Sequence, residues 1–201
     1  MNIGVLALQG ASGKHASMVA RLGADPVAVR GPAQLADLDA LIIPGGESTT
    51  ISMLLESSGL FDPLADRLRA GLPVMGTCAG MILLASDILD GRDDQRCFGM
   101  FDAAVRRNAF GRQVDSFEAE LDVQGIAANH GTGADGGRFH AVFIRAPIVE
   151  KVGPEVDVLA TVDDRPVLCR QGRVLVAAFH PELGDDTRLH QLFLDLVDEV
   201  S

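Results

Sequence analysis

The chain has 201 residues, 47% of them hydrophobic, enough for one ordinary domain with a sizeable core and too apolar for a disordered chain. A formal net charge of -11 argues against a nucleic-acid partner, because phosphates repel an acidic surface, and the absence of Trp and Tyr removes most stacking platforms. Three scattered cysteines make neither a disulfide framework nor a Cys-x-x-Cys metal site, and no apolar run approaches the roughly 18 residues that cross a bilayer.

Residues 3–8 read as a first strand rather than a basic leader, so the cytoplasm is the expected compartment. A helix follows over 12–22, then a short strand over 26–29 and another over 41–43 that runs into Pro44-Gly45-Gly46. Ser48 offers an N-cap for a helix carrying Ile51, Leu54 and Leu55. A helix over 63–69 leads to a strand over 72–76, and after Cys78 the segment 81–88 reads as a buried helix. Strands are expected over 100–107, 114–123, 141–144, 156–162, 167–170 and 174–179, and an amphipathic helix over 185–200. Such alternation implies an α/β fold with a mostly parallel central sheet and helices on both faces. Residues 1–201 contain no repeat or linker and read as a single domain; the Gly-rich stretch 127–137 reads as a mobile surface loop.

The chemistry concentrates at three strand ends, which is where open parallel sheets gather ligands. Gly76-Thr77-Cys78-Ala79-Gly80, between an apolar strand and an apolar helix, describes a sharp turn that exposes a thiol. A helix N-terminus and a nearby His both lower a thiol pKa, so Cys78 is a candidate nucleophile. His180-Pro181-Glu182 supplies an imidazole and a carboxylate; in an extended segment the two side chains share a side, so Glu182 is placed to orient His180. Backbone N–H groups of Gly46 and Ala79 are candidates for an oxyanion hole.

Other motifs are weaker. Gly10-Ala11-Ser12-Gly13-Lys14 is not a phosphate loop, since Leu8 and His15 stand where glycine and Ser/Thr belong. His130, Asp135 and His140 fit a loop better than a metal site, and no metal or cofactor is expected. Arg106-Arg107 reads either as a solvated patch or as an anion contact.

Together with Gly4-Val5-Leu6-Ala7-Leu8-Gln9-Gly10, Pro44-Gly45-Gly46-Glu47-Ser48-Thr49-Thr50, residues 107–118 and Val142-Phe143-Ile144-Arg145-Ala146-Pro147, the triad residues resemble those of class I glutamine amidotransferases. More narrowly, they resemble the glutaminase subunits of pyridoxal 5′-phosphate synthases. The resemblance spans essentially the whole chain and implies a flavodoxin-like three-layer sandwich. It implies that L-glutamine is hydrolysed to L-glutamate and ammonia, with Cys78 attacking, His180 shuttling the proton and Glu182 orienting His180. It places glutamine against Gly46, Glu47, Ser48, Arg107, Ile144 and Arg145. It also implies a synthase (lyase) subunit as partner in a hetero-oligomeric complex that makes the vitamin B6 cofactor. Lys14 departs from the acidic residue usual before His15 in that family. The alternatives are the glutaminase subunit of another amidotransferase such as imidazole glycerol phosphate synthase, a non-catalytic regulatory subunit of the same fold, or a thiol protease or stress protein on a similar sheet.

Overall fold

The computed structural model of the chain describes residues 1–92, 94–107, 116–126 and 137–199. The chain opens with β1 (Asn2–Leu6), α1 (Ser12–Arg21), β2 (Asp25–Val29) and β3 (Ala40–Ile43), followed by α2 (Ser48–Ser57), α3 (Phe61–Arg69) and β4 (Val74–Thr77). Next come α4 (Ala79–Leu84), β5 (Ala85–Ile88), β6 (Phe101–Arg106), β7 (Ser116–Leu121), β8 (Phe139–Ile144) and β9 (Ile148–Val152). The chain closes with β10 (Asp157–Val162), β11 (Arg165–Gln171), β12 (Val174–Ala177) and α5 (Arg188–Glu199).

Seven strands form the central sheet in the order β10-β11-β12-β4-β3-β1-β2. The pairs among β2, β1, β3, β4 and β12 are parallel, and β10 and β11 close one edge antiparallel. This is the flavodoxin-like order with an added hairpin. All four residues of β3, of β4 and of β12 are buried, as expected of parallel strands covered on both faces. Their carboxyl ends therefore meet at one edge of the sheet, where residues 44–47, Cys78 and His180 follow. Among the described residues, no helix is long and apolar enough to cross a membrane.

Several expectations need correction. The helix read over 81–88 is two elements: α4 stops at Leu84, Ala85 is extended (φ -59, ψ 154), and β5 pairs with β6. The backbone N–H groups of Phe98 and Met100 take the carbonyls of Leu83 and Leu84, which ends the helix and draws the chain into a small sheet of order β5-β6-β9. The apolar run 81–85 is too short for its period to separate a buried helix from a helix-strand junction. Strand β9 (Ile148–Val152) went unread because Glu150 and Lys151 interrupt its apolar pattern. Strand β8 begins at Phe139 rather than 141, and α3 begins at Phe61 rather than 63. The Gly-rich loop over 127–136 and the start of the expected strand at 114 lie outside the described residues.

Two packing arrangements fix the site. Helix α4 lies directly on the sheet: a Cβ on Gly80 would overlap the Ile43 carbonyl, and one on Gly76 would lie 2.7 Å from the Gly80 carbonyl. A row of rings fastens the β7–β8 pair to the end of β12. Phe117 stacks on Phe143 at 4.4 Å, and Phe179 meets Phe143 at 5.5 Å and Phe139 at 5.7 Å. That row carries Ile144 and Arg145, at the end of β8, to the mouth of the cleft.

Candidate active site

Cys78 leaves β4 with φ 50 and ψ -104, a conformation that an L-residue holds only under strain. Its N–H is held by the Ala177 carbonyl at 2.8 Å, and its own carbonyl accepts from Ile82 at 3.3 Å. The surrounding β strands and the α4 turn thus impose the conformation, and glycines at 76 and 80 provide the clearance. The thiol is 6% exposed, and its Sγ reaches the Ile144 carbonyl at 4.0 Å. Cys78 sits at the N-cap of α4, as the sequence suggests.

His180 is pinned by its backbone, whose N–H donates to the Val142 carbonyl at 2.9 Å. Its Nδ1 lies 2.9 Å from Glu182 Oε1, and its ring is in hydrogen-bonding contact with the Cys78 thiol. The route to this contact differs from the expected one. His180 caps a short 3-10 turn over Pro181–Leu183, so curvature rather than extended-strand alternation brings the pair together. Proline at the first position of that turn costs no hydrogen bond. Burial opposes charging the His180 ring, but the contacts with Cys78 and Glu182 outweigh it and push its pKa up to about 10. Burial likewise opposes charging Glu182, yet the contacts with His15 and His180 hold its carboxyl well below the usual range. A carboxylate beside an imidazolium is the charge state these shifts favour.

A cleft of about 210 Å³ opens over these residues, lined by Gly46, Glu47, Ser48, Cys78, Ile82, Arg107, Ile144, Arg145 and His180. It is smaller than the roughly 300–1,000 Å³ of drug-sized pockets and suits a small polar molecule. Every expected substrate contact lines it. Of the remaining expected site residues, Glu182 lies buried behind His180, and Ala79 begins α4, where first-turn N–H groups have no intrahelical partner. Arg107 donates to Thr49 Oγ1 at 2.6 Å and Gln95 Oε1 at 3.0 Å, and lies 3.9 Å from both Glu47 and Asp90. It is therefore a braced cation facing the cleft, not a solvated patch. Arg145 holds φ 44, a second strained residue at the same cleft.

Gly45 packs against both reacting groups. A Cβ there would stand 2.5 Å from His180 Cε1 and 3.2 Å from Cys78 Cβ. Gly45→Ala is expected to lower turnover by about 100-fold or more while leaving the fold intact, because the ring, not the core, must give way. Steady-state kinetics beside a circular dichroism melt check this.

The α2 N-cap is Glu47 rather than Ser48. Its carboxylate accepts from Thr49 N at 3.0 Å and from Thr50 N and Thr50 Oγ1 at 2.7 Å each. Burial acts against the charge, but the Thr50 and Thr49 bonds outweigh it and hold the pKa at about 2. The Glu47 N–H is taken in turn by Gln9 Oε1 at 2.9 Å. Glu47→Ala is expected to cost about 1 kcal/mol in urea unfolding at neutral pH. Since the folded pKa is depressed, the cap's contribution is complete above the ordinary carboxylate pKa near 4.5 and is lost as pH falls through about 2.

Sequence reasoning missed three buried residues behind the triad. His15 Nε2 lies 3.3 Å from Glu182 Oε2 and 3.3 Å from Thr77 Oγ1, and its Nδ1 lies 2.9 Å from His190 Nε2. His15 and His190 each sit on the inner face of an amphipathic helix, where a lone His reads as core. Their partnership crosses 175 residues and left no local signal. Ile82, Gln95 and Thr49 were likewise unmarked.

Known proteins resemble this chain over nearly its whole length. The family model described as the SNO glutamine amidotransferase family matches residues 5–199. The pyridoxal 5′-phosphate synthase subunit PdxT of Frankia alni is 57% identical over 195 residues, covering 97% of this chain and 94% of that protein. That of Mycobacteroides abscessus is also 57% identical, covering 97% of this chain and 96% of its own. A solved structure of a glutamine amidotransferase is 48% identical, with a TM-score of 0.88 over 98% of both chains.

Proposed function

The chain belongs to the SNO glutamine amidotransferase family, and from that premise we propose that it hydrolyses L-glutamine to L-glutamate and ammonia. It does so as the glutaminase subunit of a pyridoxal 5′-phosphate synthase, with residues 1–201 acting as one domain. The observation that carries this reading is the meeting of the strained Cys78, the His180–Glu182 pair and six expected substrate contacts at one small cleft.

The Cys78 thiolate attacks the side-chain amide carbon of glutamine, and N–H groups of Gly46 and Ala79 receive the oxyanion. Protonated His180 gives its proton to the departing nitrogen, releasing ammonia and leaving a γ-glutamyl thioester. Neutral His180 then takes a proton from water, whose oxygen attacks the thioester carbon. Collapse returns the thiolate and the imidazolium and frees glutamate. Glu182 keeps the His180 Nδ1–H fixed throughout. Arg107 or Arg145 pairs with the substrate α-carboxylate, which selects a free amino acid. Gly46, Glu47, Ser48 and Ile144 complete the pocket.

The partner in this reading is the synthase (lyase) subunit, in a hetero-oligomeric complex that consumes the ammonia. The reading sets the complex in the cytoplasm, away from nucleic acid and membrane. Release of glutamate by the purified chain, assayed with and without that subunit, is the test. Glutamine hydrolysis that rises on adding the subunit is expected; none in either mixture would sink the proposal.

A further inference from the structure

Glu182 is fully buried, and His180 engages only its Oε1. A buried carboxylate with one unattended oxygen is costly, and a single bond does not fix its plane, because the terminal torsion of Glu is broad. The other oxygen, Oε2, makes no aligned hydrogen bond among the described residues, but His15 Nε2 stands 3.3 Å away. We propose that His15 is a positioning residue of the triad, steadying Glu182 from behind so that Oε1 stays on His180 Nδ1.

The protons follow from the partners. A carboxylate only accepts, so His15 Nε2 carries a hydrogen toward Glu182 and Thr77. In neutral His15 the Nδ1 then accepts from His190 Nε2–H at 2.9 Å, leaving His190 Nδ1 a bare lone pair. That nitrogen is indeed buried without a partner among the described residues, as a lone pair tolerates better than an N–H would. Burial, reinforced by His15, lowers the His190 pKa to about 3, so its ring stays neutral and serves as a fixed prop. The ring of His15 is thus held by β4 through Thr77, by α5 through His190 and by its own helix α1.

This inference rests on the glutaminase reading, so the wild-type chain with glutamine and the synthase subunit is assayed first. Lack of turnover there defeats the functional reading, whatever His15 does. The discriminating pair is His15→Gln, whose amide nitrogen falls near Nε2, and His15→Asn, whose amide falls near Nδ1 and keeps only the His190 contact. The groups that titrate around Glu182 are His180 on one side and His15 on the other, with His190 behind His15 and Cys78 facing His180. His15→Asn is expected to lower kcat roughly 10- to 100-fold at unchanged KM. It also moves the acid limb of the kcat/KM profile to higher pH, because Glu182 loses one of its two stabilising contacts. His15→Gln is expected to restore most of kcat and the acid limb. His190→Gln, which frees the His15 ring, provides a second variant should His15→Asn not fold, with a severalfold drop in kcat expected. Equal behaviour of the two His15 variants, or lowered melting temperatures with kcat and the acid limb unmoved, would mean a merely structural histidine and overturn the proposal.

Discussion

Cys78→Ala is expected to remove glutamine hydrolysis by a factor of about 10⁴ or more, with the fold retained. Loss of a nucleophile leaves only what binding and an oxyanion hole supply, and in comparable triads that residue is 10³–10⁴ over water. The thiol is nearly buried and meets only the His180 ring and the Ile144 carbonyl among the described residues, so Ala leaves a modest gap and keeps the backbone strain. Ammonia release with the synthase subunit is the measurement, and undiminished turnover would end the mechanism. A glutamine-mimicking electrophile gives an independent check. Burial pushes Cys169 up to about 12 and raises Cys97, so neither presents a thiolate near neutral pH. Label is expected on Cys78 alone, and label spread over all three cysteines would argue that the His180 contact does not activate it.

Gly80→Ala is expected to destabilise the chain by roughly 3 kcal/mol, a large part of the 5–15 kcal/mol that keeps a domain folded. In most helices the same change is favourable by up to about 1 kcal/mol. Here the added methyl would overlap the Ile43 carbonyl oxygen on β3, and backbone cannot swing aside as a flexible side chain can. Helix α4 must lift from the sheet, which also moves Cys78, so activity falls with stability. Gly13 is the control: a Cβ there meets nothing within 4 Å, and Gly13→Ala in α1 is expected to be neutral or mildly stabilising. Urea unfolding of both variants measures the difference; a harmless Gly80→Ala would mean that α4 is not clamped as described.

The central parallel strands β3, β4 and β12 were legible because they are buried on both faces and lie in apolar stretches between turn residues. Cys78, His180 and Glu182 were legible because each motif pairs an uncommon polar residue with Gly or Pro at a strand end. The α4–β5 junction was not, since the apolar run 81–85 is too short to carry a period. Nor was the cap of α2: Ser48 is the better N-cap by type, yet Glu47 takes the role because its longer side chain bends back onto the N–H groups of Thr49 and Thr50.

The Cys78 elbow and the placing of His180 and Glu182 at a strand end belong to the sequence, because each is set by residues near one another in the chain. What only the tertiary structure decided is what stands behind them. His15 from α1 and His190 from α5 are ordinary core histidines by local pattern. Folding brings their rings to within 2.9 Å of one another and sets His15 against the far side of Glu182. A buried charge needs partners in space, and spacing along the chain does not say which residues will be there.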